Sequence, residues 1–506
     1  MIKLFAVTIW LVLVTGILSA QTPDTTWTCI HEVTDDIDEG ICVRQTPDGG
    51  YIITGTCVPQ GLESHIDLLL LKTDALGNIQ WKQTFDDGYI EAGTAVEQTH
   101  DGGFIISGRS LTGTYPPTEP SQSDAWLLKT DTNGDTLWTC KFGDNGNDFF
   151  TSVIETRDSC FIMAGSKETE SLYPNYSINE EYQPDSSKAW LVKTDADGNT
   201  LWSKTFLEKS YANCVQQTSD GGFIVVGWLF PEETAQCSDV LLIKTNASGE
   251  TEWTQTFGNE AYDIGMCVRE TDDGYIISGQ TKPTGSNYNA LLIKTDLSGN
   301  VLWNKTFGGT GNDAAFTVNI TSDNGYFFTG TTNGSWWLHH GDVWAFETDA
   351  AGELRWERIY DINVSDFGFC GIPTSDAGYV ITGMVSQGMG GALWLAKLAQ
   401  MPTGIEDSDA EIISFSLHQN YPNPFNATTT IPISLGHASH LQLVVYDIIG
   451  REIAEIANNR FDAGKHLFKF NASNFPSGVY IVKAKISNTE HHIQKYDVSR
   501  KIIYVK

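Results

Sequence analysis

The residues best suited to chemistry in this chain are carboxylates that return at one place in a repeat. Asp38, Glu91, Asp148, Asp263, Asp313 and Asp366 each stand four residues before a small inner-strand side chain, and Ser210 takes the remaining place. Oxygen ligands collected around an axis suit a divalent cation such as calcium, or a substrate held through one. Short acidic side chains also cap the backbone N–H groups of turns, and strict repetition favours that structural role. The pattern calls for no cofactor; calcium is the ion it would admit.

A second set of candidates sits where the repeat is interrupted. Tyr115 lies in the stretch 109–123, and Tyr173 and Tyr176 lie in 166–188. Trp228, Tyr288, Trp336 and Trp337 occupy equivalent stretches of other repeats. Rigid aromatics on variable loops over a rigid scaffold suit ligand capture, including stacking on sugar rings. The competing role is to pack those loops onto the scaffold. His339 and His340 are adjacent, so on a strand they point to opposite faces and do not share one metal. The chain has no H-E-x-x-H, C-x-x-C or G-x-S-x-G motif and no phosphate loop. Turns such as Asp195-Ala196-Asp197-Gly198-Asn199 put glycine too early for an EF-hand loop and read as hairpins. Acid pairs that hydrolyse glycosides have no fixed local spacing, so a polysaccharide hydrolase or lyase stays open as an alternative.

The elements that must position these residues are strands. A glycine–aromatic corner recurs at Tyr51, Phe104, Phe161, Phe223, Tyr275, Tyr326 and Tyr379. A tryptophan recurs at Trp27, Trp81, Trp138, Trp202, Trp253, Trp303 and Trp356. Each repeat parses into four strands, A to D; in the first, A is 41–46, B is 51–55, C is 67–73 and D is 79–85. The apolar run Leu68-Leu69-Leu70-Leu71 predicts a strand covered on both faces. Gly77, in the turn from C to D, supplies the positive φ that a short hairpin loop requires. Four-stranded units in tandem imply a β-propeller, in which each blade covers its neighbours. Burying ~200 Å² of indole contributes on the order of 5 kcal/mol gross per blade. Strand direction alternates, so the B–C and D–A connections share one face.

The ends predict closure. The strand around Trp27 precedes any A, B or C strand, and the last repeat stops after strand C at 393–398. The N-terminal strand would supply the missing D, giving seven blades over 22–400; six or eight would leave a half-blade unpaired. Residues 1–20 read as a secretory signal peptide, with Lys3, an apolar core and small residues before Gln21. That apolar stretch is short for a membrane span, so no transmembrane anchor is expected. Residues 401–411 read as a linker, and 412–506 as a small β-sandwich of short alternating strands. The 63 acidic residues against 31 basic give a formal charge of −32, which repels phosphate backbones and argues against nucleic acid as a partner. Four of the nine cysteines, Cys42, Cys214, Cys267 and Cys370, share a position filled elsewhere by Ala95, Ser152 and Thr317. That set asks for a small side chain rather than a disulfide.

Motifs in the tail carry a resemblance. They are Asn420-Tyr421-Pro422-Asn423-Pro424-Phe425-Asn426, then Val445-Tyr446-Asp447-Ile448-Ile449-Gly450-Arg451, then Phe475-Pro476-Ser477-Gly478-Val479-Tyr480. In this order they resemble the C-terminal sorting domain of the bacterial type IX secretion system. The resemblance implies an immunoglobulin-like sandwich read by outer-membrane secretion machinery, and a secreted or cell-surface protein. The repeats more loosely resemble quinoprotein-like propeller repeats. That likeness implies architecture alone, since no two cysteines are adjacent here as quinone-cofactor enzymes of that kind typically require. The expected function is non-catalytic binding of a glycan or protein, with a structural or adhesive role as a further alternative.

Overall fold

The computed structural model describes residues 25–399 and 415–506, less the segments 32–37, 60–64, 113–121, 169–186, 232–236, 259–260, 284–285, 336–339, 363–364, 388–389, 418–419, 436–438, 448–450 and 489–492 and residues 89, 145, 310, 421, 424 and 463. The chain divides into two compact units, Met1–Pro402 and Thr403–Lys506. The expected signal peptide and linker lie outside the described residues.

The first unit is all-β and propeller-like. Its described residues form seven four-stranded antiparallel sheets, six of them from consecutive strands. In the first sheet the strands are Asp38–Gln45, Tyr51–Cys57, Asp67–Thr73 and Ile79–Phe85, hydrogen-bonded in that order. Strands B and C are apolar on both faces because a neighbouring sheet covers each; every residue of Asp67–Thr73 is buried. The last sheet joins strands from both ends of the unit: Thr25–His31 pairs antiparallel with Gly390–Leu398, with Cys29 opposite Leu395. Otherwise Gly390–Leu398 would present an open edge.

One contact repeats at every seam. The indole of each D strand meets the aromatic that opens strand B of the next sheet. Trp81 lies 5.9 Å from Phe104, Trp202 lies 6.0 Å from Phe223, and Trp356 lies 5.8 Å from Tyr379. The last sheet meets the first in the same way, Trp27 to Tyr51 at 5.9 Å. The C–D turn glycine has a second duty that sequence did not show. At Gly77 (φ +81°) an added Cβ would lie 2.7 Å from the Trp27 ring, so the residue must be small as well as left-handed.

The recurrent Asp of the A–B turn also has a partner. Asp48 Oδ2 accepts from Lys72 Nζ at 2.8 Å, and that ammonium donates to the Thr73 carbonyl at 2.9 Å. Asp101–Lys129, Asp158–Lys193, Asp220–Lys244, Asp273–Lys294 and Asp376–Lys397 repeat the pair. The lysine stem is buried along the sheet while its head reaches the turn. Burial pushes the Asp48 carboxyl up, but the hydrogen bonds from Lys72, Thr46 and the Gly50 N–H, with the Lys72 charge, together outweigh it and hold the group at about 2. The sixth sheet changes the device. Glu347 replaces the lysine, and Arg355 pairs with both Asp323 and Glu347.

The second unit contains a three-stranded and a four-stranded sheet. The long strands Ser439–Asp447, Gly478–Asn488 and Ile493–Tyr504 lie in the larger one. Leu443, Val445, Val482 and Ile502 form part of its apolar core.

Candidate functional site

The A–B and C–D turns share one end of the sheets, and the B–C and D–A connections share the other. The recurrent acids stand at this second end, where strand A begins. All six are buried, as is Ser210. Asp148 shows one thing such an acid does. Its Oδ2 accepts from the Asp144 N–H at 2.9 Å and its Oδ1 from the Glu168 N–H at 3.0 Å. One carboxylate thereby ties the D–A corner to the end of strand B. Asp313 repeats this through the N–H groups of Gly309 (2.7 Å) and Asn333 (3.0 Å), and the Asp366 Oδ2 accepts from Ile362 N–H at 2.7 Å. At Ser210 the hydroxyl accepts from the Ala189 N–H at 2.9 Å. The backbone N–H of the acid itself crosses the seam: Glu91 donates to the Ile66 carbonyl at 2.7 Å and Asp263 to the Ser238 carbonyl at 2.8 Å. Asp148 and Asp313 thus serve as caps. Burial raises the Asp148 carboxyl to about 6 against the two N–H groups that oppose it.

Two seams depart from this pattern. Asp67, Asp86 and Glu91 each place an oxygen within 4.8 Å of the others, and so do Asp342, Asp361 and Asp366. The two trios are equivalent: the start of strand C, the residue after strand D, and the start of the next strand A. Burial raises Glu91 to about 7, and the Asp86 and Asp67 charges add to the rise against the Ser110 hydroxyl. Asp67 is raised by burial and by Asp86. Asp86 and Asp361 escaped the sequence reading because each is a single residue in a corner.

The aromatic set is divided by the structure. Trp228 stacks on Tyr211, with centroids 4.3 Å apart and planes 13° apart, and meets Phe230 edge-on. It remains partly exposed. Tyr288 corrects the expectation of a displayed ring. It is 8% exposed, its carbonyl accepts from the Asp313 N–H, and Lys282 covers its face at 5.0 Å. It directly precedes the strand Asn289–Asp296 and is packed there rather than displayed. Tyr115, Tyr173, Tyr176, Trp336 and Trp337 lie outside the described residues, as does His339.

Near the inner strands, thiols face neighbouring sheets. The Cys214 and Cys267 sulfurs are 3.8 Å apart, and Arg269 Nη1 donates to Cys214 at 3.5 Å. Cys370 and Arg44 stand in the same relation across the closing seam, at 3.8 Å. Each thiol reaches a carbonyl of the next sheet, as Cys42 does to Val96 at 3.9 Å. All nine cysteines are free. The two arginines went unnoticed in the sequence; their signal was a cation two residues after the small position in just these two repeats.

In the second unit the sorting-motif residues pin the first strands to the C-terminus. Asn420 Nδ2 donates to Thr429 Oγ1 at 2.8 Å and to the Pro422 carbonyl at 3.1 Å. Asn423 accepts from the Ile503 N–H at 2.8 Å, and Phe425 packs 5.3 Å from Tyr504. Gly478 pairs with Tyr504, and the buried Tyr480 donates its hydroxyl to the Pro476 carbonyl at 2.7 Å. Tyr421, Pro424 and Gly450 fall outside the described residues.

Residues 419–499 match the secretion system C-terminal sorting domain. No curated protein matches the chain. Among solved structures it is similar to a puromycin hydrolase, at 10% identity and a TM-score of 0.45, covering 82% of this chain and 61% of that one. It is also similar to a protein of unknown function from Bacteroides caccae, at 10% identity and a TM-score of 0.36, covering 58% of this chain and 90% of the other. The chain thus spans about three fifths of the hydrolase. The sorting domain makes this a secreted or cell-surface protein of a Bacteroidetes-type bacterium, and the secretion system is its partner. No helix among the described residues is long and apolar enough to cross a membrane.

Proposed function

We propose that the chain is an exported seven-bladed β-propeller, over residues 22–400, that binds a glycan or protein without catalysis. In this reading residues 1–20 are a signal peptide, 401–411 a linker, and 412–506 an immunoglobulin-like sandwich that delivers the protein to the outer surface. The ligand face is the B–C and D–A end. One observation carries the reading: connections at that end vary widely in length, while the A–B turns at the other end differ by at most one residue. The B–C connections range from 388–389 to 169–186, whereas the A–B turns at 46–50, 99–103 and 156–160 are alike. Variable loops on a fixed scaffold are where binding specificity accumulates. Trp228, Tyr115, Tyr173, Tyr176, Trp336 and Trp337 are the proposed contact rings, and the buried Tyr288 is a support of the scaffold at the same end.

The test is glycan-array binding by the full exported chain and by Trp336→Ala and Tyr176→Ala. Binding that disappears in either variant supports the reading, and binding unchanged in both rejects the face. Reducing ends released from a polysaccharide panel would replace the binding role with a hydrolase or lyase.

A further inference from the structure

We propose that Asp67, Asp86 and Glu91 form a calcium site at the seam between the first and second sheets. Their three oxygens lie within 4.8 Å of one another. A calcium ion makes bonds of about 2.3–2.6 Å to oxygen, so ligands on opposite sides of one ion stand about 5 Å apart. One ion can therefore reach all three.

The second observation is an orphaned oxygen. Glu91 is 0% exposed; its Oε1 accepts from the Ser110 hydroxyl at 3.1 Å and the Asp87 N–H approaches the carboxylate, but its Oε2 completes no hydrogen bond. A buried carboxylate oxygen left unpaired is relieved by a proton or by a cation, and only a cation can answer Asp67, Asp86 and Glu91 together. The adjacent Asp87 does not draw a lysine to the cluster, because it takes Lys141 for itself at 2.5 Å.

The repeat supplies an internal control. Where Asp86 stands, other sheets carry Gly143, Gly258 and Gly308. Asp124 with Asp148, and Asp239 with Asp263, keep the other two acids of the trio beside those glycines. The scaffold thus closes its corners without a third carboxylate. Among the described residues Asp86 and Asp361 are the acids at this place, and each completes a trio within 4.8 Å. Capping explains the buried acid; it does not explain the added one. Asp86 is exposed, which gives an ion access from solvent. Calcium fits better than magnesium because it accepts irregular oxygen sets, whereas magnesium demands a near-ideal octahedron and keeps its waters. The site stands whether or not the loop face binds a glycan.

The experiment uses the full exported chain, stripped with a chelator and titrated with calcium chloride by calorimetry, with thermal melting in parallel. The expected dissociation constant is about 0.1–1 mM, the range of extracellular modules. Calcium at 10 mM should raise Tm by about 2–3 °C. Asp86→Gly copies the glycine of the other corners and so should fold; it should lower the stoichiometry by one. Glu91→Gln should weaken that site at least tenfold. The proposal is overturned by an absence of calcium heat in the parent chain. It is equally overturned by unchanged stoichiometry and affinity in both variants, or by a magnesium response equal to that of calcium.

Discussion

The two ends of the repeated sheets solve the same problem in opposite ways. At the A–B and C–D end each connection is a short turn, the turn Asp is paired to a buried lysine or, in the sixth sheet, to Arg355, and a glycine receives the neighbouring indole. At the other end Asp148, Asp313, Asp366 and Ser210 tie their corners through partners that differ from sheet to sheet. The uniform end is uniform because each part of it is also part of a neighbour's packing. Gly77 cannot change without moving Trp27, which belongs to another sheet. At the corners the backbone bond across the seam recurs while the side-chain ties differ, so each corner can vary while that bond stays in place.

This contrast can be broken most directly at the closing seam. Deleting Thr25–His31 removes the strand paired with Gly390–Leu398 and the indole seated on Tyr51. The expected result is loss of the cooperative monomeric fold, read as aggregation by size exclusion and loss of near-ultraviolet circular dichroism. A monomer with the parental melting curve would show that the seams are not equivalent. Next in size is Trp356→Ala. That indole is 2% exposed and donates to Glu347 at 3.1 Å. Its removal should cost about 3–5 kcal/mol in denaturant titration.

The corners should respond to pH where the turns do not. Asp148 is raised to about 6, so the folded state holds its proton more tightly than the unfolded chain does. Stability from this group is present below the ordinary aspartate value and falls as pH rises from about 4 to about 6. Asp48 and Asp220 are held at about 2, so their contribution is complete above about 4 and is lost only as pH falls through 2. Asp148→Asn should flatten the slope between pH 4 and 6. At pH 7 it should cost about 1–3 kcal/mol, since one of two buried N–H donors loses its acceptor. Asp48→Asn should leave that slope intact. The smallest effect is expected for Lys305→Ala, which breaks an exposed pair with Glu353 at 2.6 Å. About 0.5 kcal/mol or less, measured by thermal melting, would separate such pairs from the buried turn lysines.

Much of the scaffold was legible residue by residue. Trp81 and Phe104 announced a seam because both recur at a fixed spacing and both are large and apolar. Gly77 announced a turn, since its φ is a local property. The partners of Asp48 and Asp148 were not legible, because Lys72 and Glu168 lie 24 and 20 residues away and are brought back by strand pairing. Tyr288 looked like a displayed ring, yet it is packed where it precedes the strand Asn289–Asp296. The acid trio was hidden for the same reason: Asp67 and Glu91 meet only because Ile66 and Ile90 bridge across a seam.

The sequence by itself determined strand, turn and period, because each depends on neighbours along the chain: alternation, glycine φ and a recurring indole. It also identified the exported tail, whose motifs stand in order within one short segment. Tertiary structure alone decided which carboxylates cap and which converge, and which aromatics are covered. Those outcomes depend on a few ångströms between residues of different sheets, a distance that spacing along one chain does not encode.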